Sequence, residues 1–163
     1  MIQKKICLLG AFSVGKTSLI QRYINSLFSD RYHTTVGVKV DKKMVDVDGQ
    51  ALMLMIWDIA GEDAFTSIKP AYLRGMSACI VVIDGTRRNS FDVALSVHEM
   101  VRQQLGEIPV VFALNKADLK GEWTLGEEQL RTLAQLGQPM LETSARLGQG
   151  VNEMFMALAR RLC

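Results

Sequence analysis

The 163-residue sequence predicts an α/β fold: a mainly parallel sheet covered by helices on both faces, with one antiparallel edge strand. Three observations carry that expectation. Apolar runs of strand length alternate with amphipathic stretches at helical spacing, the pattern of βαβ units. The runs are short and rich in β-branched residues, as strands buried on both faces are. One Asp-Gly pair separates two such runs, a strong hairpin signal.

In chain order, Ile6-Cys7-Leu8-Leu9 ends in a glycine-rich turn and reads as a buried strand. Leu19, Ile20, Tyr23, Ile24 and Leu27 then recur at helical spacing. Val38, Val40, Val45 and Val47 alternate, the pattern breaks at Asp48-Gly49, and it resumes through residues 51–57. Residues 78–83 and 110–114 are again short and apolar. Between them Phe91, Ala94, Leu95, His98 and Val101 describe one helix face, with Asn89 or Ser90 suited to cap it. Leu130, Leu133 and Ala134 mark another helix, and Val151, Met154, Phe155, Leu158 and Leu162 the last. There are three prolines, no repeat and no Pro/Gly-rich linker, so residues 1–163 read as one domain.

Hydrophobic residues at 48% and charged residues at 22% exclude disorder, collagen and coiled coil as the main state. A net charge of +2 is too small for a protein that coats nucleic acid. Cys7, Cys79 and Cys163 are odd in number, widely spaced and form no CxxC pattern, which fits a reduced cytoplasmic compartment. Nine methionines, Met53 and Met55 among them, read as core filler. The apolar run after Lys4-Lys5 stops at Gly10, too soon for a signal peptide, and no run is long enough to span a bilayer. Ile2 excludes N-myristoylation, which needs glycine there.

Gly10-Ala11-Phe12-Ser13-Val14-Gly15-Lys16-Thr17 matches G-x-x-x-x-G-K-[ST], between an expected strand and an expected helix. Its glycines let the backbone curl so that successive N–H groups converge on phosphates, and the helix N-terminus adds its positive dipole end. Gly10, Ser13, Val14, Gly15, Lys16, Thr17 and Ser18 are the phosphate-binding candidates. Lys16 would reach the outer phosphates, and the Thr17 hydroxyl would ligate Mg²⁺.

Asn115-Lys116-Ala117-Asp118 follows the apolar strand 110–114, at the carboxyl end where open α/β sheets bind ligands. A carboxylate can accept two hydrogen bonds at once, and guanine presents N1–H and N2–H₂ side by side. Adenine has no such donor pair, so Asp118 suits guanine. Asn115 would brace the loop and contact the base, with the Lys116 stem along the base face. Thr143-Ser144-Ala145 follows another short apolar run and can offer a backbone N–H to guanine O6.

Asp58, in Trp57-Asp58-Ile59-Ala60-Gly61, can hold Mg²⁺ through water, and Gly61 can bring an N–H to a terminal phosphate. A threonine ahead of Val36-Gly37 can give its hydroxyl to Mg²⁺ and its N–H to the γ-phosphate. Thr35 is the candidate, though spacing does not separate it from Thr34. His33 reads as exposed loop and His98 as packing on its helix. Neither has a Ser or Cys partner at a recognisable spacing, so nucleophilic catalysis has no support.

With these four segments in this order, the chain resembles the Ras superfamily of small GTPases over its whole length. Thr35-Val36-Gly37 and Trp57-Asp58-Ile59-Ala60-Gly61 look most Rab-like. The resemblance implies a P-loop NTPase G domain with a six-stranded sheet and five helices. It implies GTP and GDP as ligands, Mg²⁺ ligated by Thr17, Thr35 and Asp58, and a switch between nucleotide states. Protein effectors and regulators would read two loops, at about residues 28–37 and 60–72. The resemblance also places Phe28 edge-on against guanine and Tyr32 over the phosphates, and puts Lys16, Thr35 and residue 62 at the reacting phosphate.

Three features depart from the family pattern. Glu62 stands where a glutamine usually orients the attacking water. Phe12 and Ser13 stand where small residues, usually including glycine, line the γ-phosphate pocket. The sequence carries no C-a-a-X box or paired terminal cysteines at Cys163, so a prenyl anchor is not expected. The leading expectation is a slow Mg²⁺-dependent GTPase switch, the alternative a GTP/GDP-binding module with negligible hydrolysis. A P-loop ATPase or nucleotide kinase is disfavoured by Asn115–Asp118 and by the lack of an arginine-rich lid segment.

Overall fold

Residues 6–9 are Ile-Cys-Leu-Leu, and all four are buried because strands flank them on both sides and helices cover the sheet. A computed structural model describes residues 2–26, 37–60 and 68–163. In it the strands are β1 (Ile2–Gly10), β2 (Val38–Val47), β3 (Gln50–Ile59), β4 (Met76–Asp84), β5 (Val110–Asn115) and β6 (Met140–Glu142). The helices are α1 (Lys16–Asn25), α2 (Pro70–Leu73), α3 (Arg88–Leu105), α4 (Glu127–Ala134) and α5 (Val151–Arg160), with a 3₁₀ segment over Ala117–Glu122.

The six strands lie in the order β2-β3-β1-β4-β5-β6. Among the described residues only β2 and β3 pair antiparallel, and every other neighbouring pair is parallel. The expected mainly parallel sheet, with its antiparallel edge strand and five helices, is the fold observed. All six residues of β5 are buried, and in β4 only Ser77 is partly open, so both faces of the central strands are covered. α3 packs against β4 and β1, while α5 packs against β5, β4 and β2. Tyr23 on α1 stacks on Phe155 of α5 with centroids 3.9 Å apart, tying the first helix to the last.

The hairpin turns where Asp48 and Gly49 meet. Both have positive φ, 51° and 88°, as the mirror-image turns that match strand twist require. The Asp46 carboxylate accepts the Gly49 N–H at 2.9 Å, which spares the turn an open donor.

Two expectations are corrected. Neither Asn89 nor Ser90 caps α3. The helix begins at Arg88, with Arg87 extended before it and no side-chain cap. Ser90 is buried instead, its hydroxyl accepting the Asp84 N–H at 3.0 Å and lying 2.7 Å from the Arg87 carbonyl. Nor are Met53 and Met55 core filler. The two-residue period of β3 turns Leu52, Leu54 and Ile56 into the core and leaves Met53 and Met55 half-buried on the other face. There they share the face with Trp57 and with the cross-strand partners Met44 and Val40, both exposed.

Candidate functional site

The parallel strands all point their carboxyl ends the same way, so Gly10, Asp84, Asn115 and the segment after β6 fall along one edge of the sheet, joined by Asp58 from β3. The loop from Gly10 to Gly15 leaves β1 and enters α1 directly. Gly10 and Gly15 have φ of 146° and 105°, open to glycine and strained for other residues. Space forbids side chains there as well. A Cβ on Gly10 would lie 2.6 Å from the Val82 carbonyl oxygen, and one on Gly15 would lie 2.3 Å from the Asn115 side-chain nitrogen. Between them Ser13 takes φ 63°, a left-handed conformation uncommon for a residue other than glycine.

Lys16 is buried, and its ammonium donates to the carbonyls of Ala11 at 3.0 Å and Gly10 at 3.3 Å. The lysine therefore lies back over its own loop, holding a cation inside a ring of backbone. Val14, Gly15 and Ser18 sit in or beside this loop and the first turn of α1, where amide N–H groups converge. Phe12 projects outward and is 45% exposed. Its carbonyl accepts a hydrogen bond from the Arg87 guanidinium at 2.6 Å.

Thr17 donates its hydroxyl to the Asp58 carboxylate at 2.6 Å, and Asp58 is buried at the end of β3. A hydroxyl and a carboxylate form a hard, oxygen-only pair beside the phosphate loop, the donor chemistry that suits Mg²⁺. These residues fit the ion.

Asn115 joins the two halves of the site. Its amide nitrogen donates to the Val14 carbonyl at 2.9 Å, and its amide oxygen accepts the Thr143 hydroxyl at 3.0 Å. Asp118 accepts the hydroxyl of buried Ser144 at 2.8 Å, so the loops after β5 and β6 are tied together. Lys116 stands in the left-handed region at φ 69° and pairs its ammonium with the fully buried Asp84 carboxylate at 2.7 Å. Its backbone carbonyl accepts the Trp123 indole N–H at 2.8 Å. The indole lies so close over Gly85 that a Cβ there would come within 2.1 Å of it. Ala145 is buried, and its carbonyl accepts from Arg22 of α1 at 2.8 Å.

The structure thus draws Gly10, Ser13, Val14, Gly15, Lys16, Thr17, Ser18, Asp58, Asn115, Lys116, Asp118, Ser144 and Ala145 to one edge of the sheet. Phe28, Tyr32, Thr35, Gly61 and Glu62 lie outside the described residues, as do His33 and Thr34. His98 is remote, packed on Phe112 with ring centroids 5.5 Å apart. Arg22, Asp84, Arg87 and Trp123 were not foreseen. Asp84 closes an apolar strand and could have been picked out by that position. The other three carry no local signal.

The Ras family profile matches residues 5–163, nearly the whole chain, and this protein belongs to the Ras family of guanine-nucleotide switch proteins.

Proposed function

We propose that the chain is a single-domain GTPase switch that binds GTP and GDP with Mg²⁺, hydrolyses GTP slowly, and is read by protein partners through residues 28–37 and 60–72. The observation that carries the reading is Asn115, which bonds Val14 of the phosphate loop on one side and Thr143 of the base loop on the other. A purine and its phosphates would be gripped by one braced unit, with Asp118 held at its rim by Ser144. Thr35-Val36-Gly37 and Trp57–Gly61 favour a Rab-like member of the family.

In this mechanism Asp118 accepts the paired N–H donors of guanine, and Ala145 offers its N–H to O6. Lys16 and the backbone amides of residues 13–18 bind phosphate oxygens. Thr17 and Asp58, with Thr35, would hold Mg²⁺, which when bound neutralises charge on the outer phosphates. Glu62, in this reading, would accept a hydrogen bond from the attacking water, but when ionised it cannot donate one to the transferring phosphoryl group. Its negative charge would then oppose the build-up of charge on the phosphoryl oxygens and slow the step.

One observation favours a second reading, a nucleotide-holding module with negligible turnover. Phe12 is exposed at the phosphate loop, and its ring would add bulk where an arginine from a partner has to enter. Single-turnover release of phosphate separates the two. Slow hydrolysis, on the order of 10⁻⁴–10⁻² s⁻¹ and altered by Glu62→Gln, is the outcome expected of the switch. No phosphate release over many hours would leave the module. ATP competing as well as GTP would overturn both.

A further inference from the structure

The carbonyls of the loop between β1 and α1 are held from several sides. Lys16 takes those of Gly10 and Ala11, Asn115 takes that of Val14, and the Leu19 N–H takes that of Gly15 at 2.9 Å. The Phe12 carbonyl is taken by Arg87, whose Nη1 donates to it at 2.6 Å. Lys16 and Asn115 belong to the sequence motifs of the site. Arg87 belongs to none of them and comes from the turn between β4 and α3. That turn gives the arginine a fixed base. Its N–H donates to the Asp84 carbonyl at 3.0 Å, and its own carbonyl accepts the N–H of fully buried Ser90 at 3.0 Å. The Phe12–Ser13 peptide is trans, so its C=O and its N–H lie in one plane and point in opposite directions. That N–H is the one of Ser13. Holding the Phe12 carbonyl therefore fixes the direction of the Ser13 N–H, on the side of the loop away from Arg87.

We propose that Arg87 is a positioning residue for the outer phosphates of the nucleotide: from outside the phosphate loop it fixes the Phe12–Ser13 peptide, so that the Ser13 N–H is presented to the concave side. This rests on the phosphate-binding reading above and adds to it a residue from another part of the fold. Arginine suits the task because its guanidinium stays charged, and a charge-assisted hydrogen bond to a carbonyl is stronger than a neutral one. Arg87 is half-buried, which spares the bond much of the competition from water. The cation also polarises the peptide it holds, and this strengthens the N–H on the far side as a donor. Ser13 is where the loop gains most from a brace. Its φ of 63° is a conformation that a residue other than glycine keeps only when its surroundings enforce it.

The test is displacement of a fluorescent GDP analogue by GMP, GDP and GTP, from the unsubstituted protein, Arg87→Lys and Arg87→Ala. GMP keeps the base and the ribose and lacks the outer phosphates. Arg87→Ala is expected to weaken GDP and GTP by about tenfold, one hydrogen bond's worth, and GMP by less than about twofold. Arg87→Lys keeps a cationic donor and should fall between. Should Arg87→Ala unfold at the assay temperature, Arg87→Lys carries the same comparison. Equal weakening of all three nucleotides would mean that Arg87 only staples the turn to the loop and would overturn the proposal. So would unchanged binding of GDP and GTP. Failure of the phosphate-binding reading shows elsewhere, as an unsubstituted protein that takes GMP as tightly as GTP.

Discussion

The side-chain amide of Asn115 donates to the Val14 carbonyl at 2.9 Å and lies where a Cβ on Gly15 would stand only 2.3 Å from its nitrogen. One asparagine therefore both braces the phosphate loop and requires glycine beside it. Asn115→Ala would strand the buried Val14 carbonyl and the Thr143 hydroxyl, at about 1–3 kcal/mol for each unsatisfied group. In a domain of this size each kcal/mol lowers Tm by roughly 2–4 °C. Calorimetry should show that fall, and GTP affinity should drop with it. A variant that kept its Tm would mean water replaces the amide.

Asp118→Asn should move preference from guanine toward xanthine. Xanthine carries a carbonyl acceptor where guanine has its 2-amino donor, and the Asn amide offers both a donor and an acceptor. The Ser144 hydroxyl, 2.8 Å from Asp118, can bond the amide oxygen equally well, so the loop should keep its shape. Competition between GTP and XTP reads the change. Retention of the original GTP margin would remove Asp118 from the base edge.

Thr17→Asn replaces the hydroxyl that lies 2.6 Å from Asp58. It should weaken the triphosphate state more than the diphosphate state, and the difference should shrink when Mg²⁺ is chelated. Lys16→Ala should weaken triphosphate binding both with and without the ion, since it removes a cation rather than a ligand. An unchanged GTP:GDP affinity ratio in Thr17→Asn would count against its metal role.

Burial pushes the His98 imidazole below its ordinary pKa of 6.5, with Arg102 also opposing the charged form and Glu99 and Glu107 acting the other way. Phe112 covers one side of the ring, and Gln138 lines the small cavity beside it. The unfolded chain then takes up the proton first as pH falls. Stability from this group is present above about pH 6.5 and is lost below it, as pH drops through the lower folded-state value. Thermal unfolding followed from about one pH unit above to about one unit below 6.5 should show a steeper acid loss in the unsubstituted protein than in His98→Leu. Parallel curves would mean the imidazole charges without penalty.

Much of this molecule was legible as a string because the relevant chemistry is local. The Asp48-Gly49 turn needs two adjacent residues that accept positive φ, and the phosphate loop needs glycines where two φ angles are positive. Parallel strands announce themselves as β4 and β5 do, by apolar residues on both faces. Other features failed to show because their partners are far apart in sequence. Arg22 meets carbonyls more than 120 residues away, Arg87 meets Phe12 across 75, and Trp123 closes over Gly85. In each case a side chain bonds or covers backbone, and backbone looks the same at every position of a sequence. Met53 and Met55 lie on the less covered face for a related reason: a two-residue period says which residues share a face, but only packing decides which face is covered. The α3 cap went elsewhere because the Ser90 hydroxyl found Asp84 and Arg87, a contact made only when β4 and α3 are folded together.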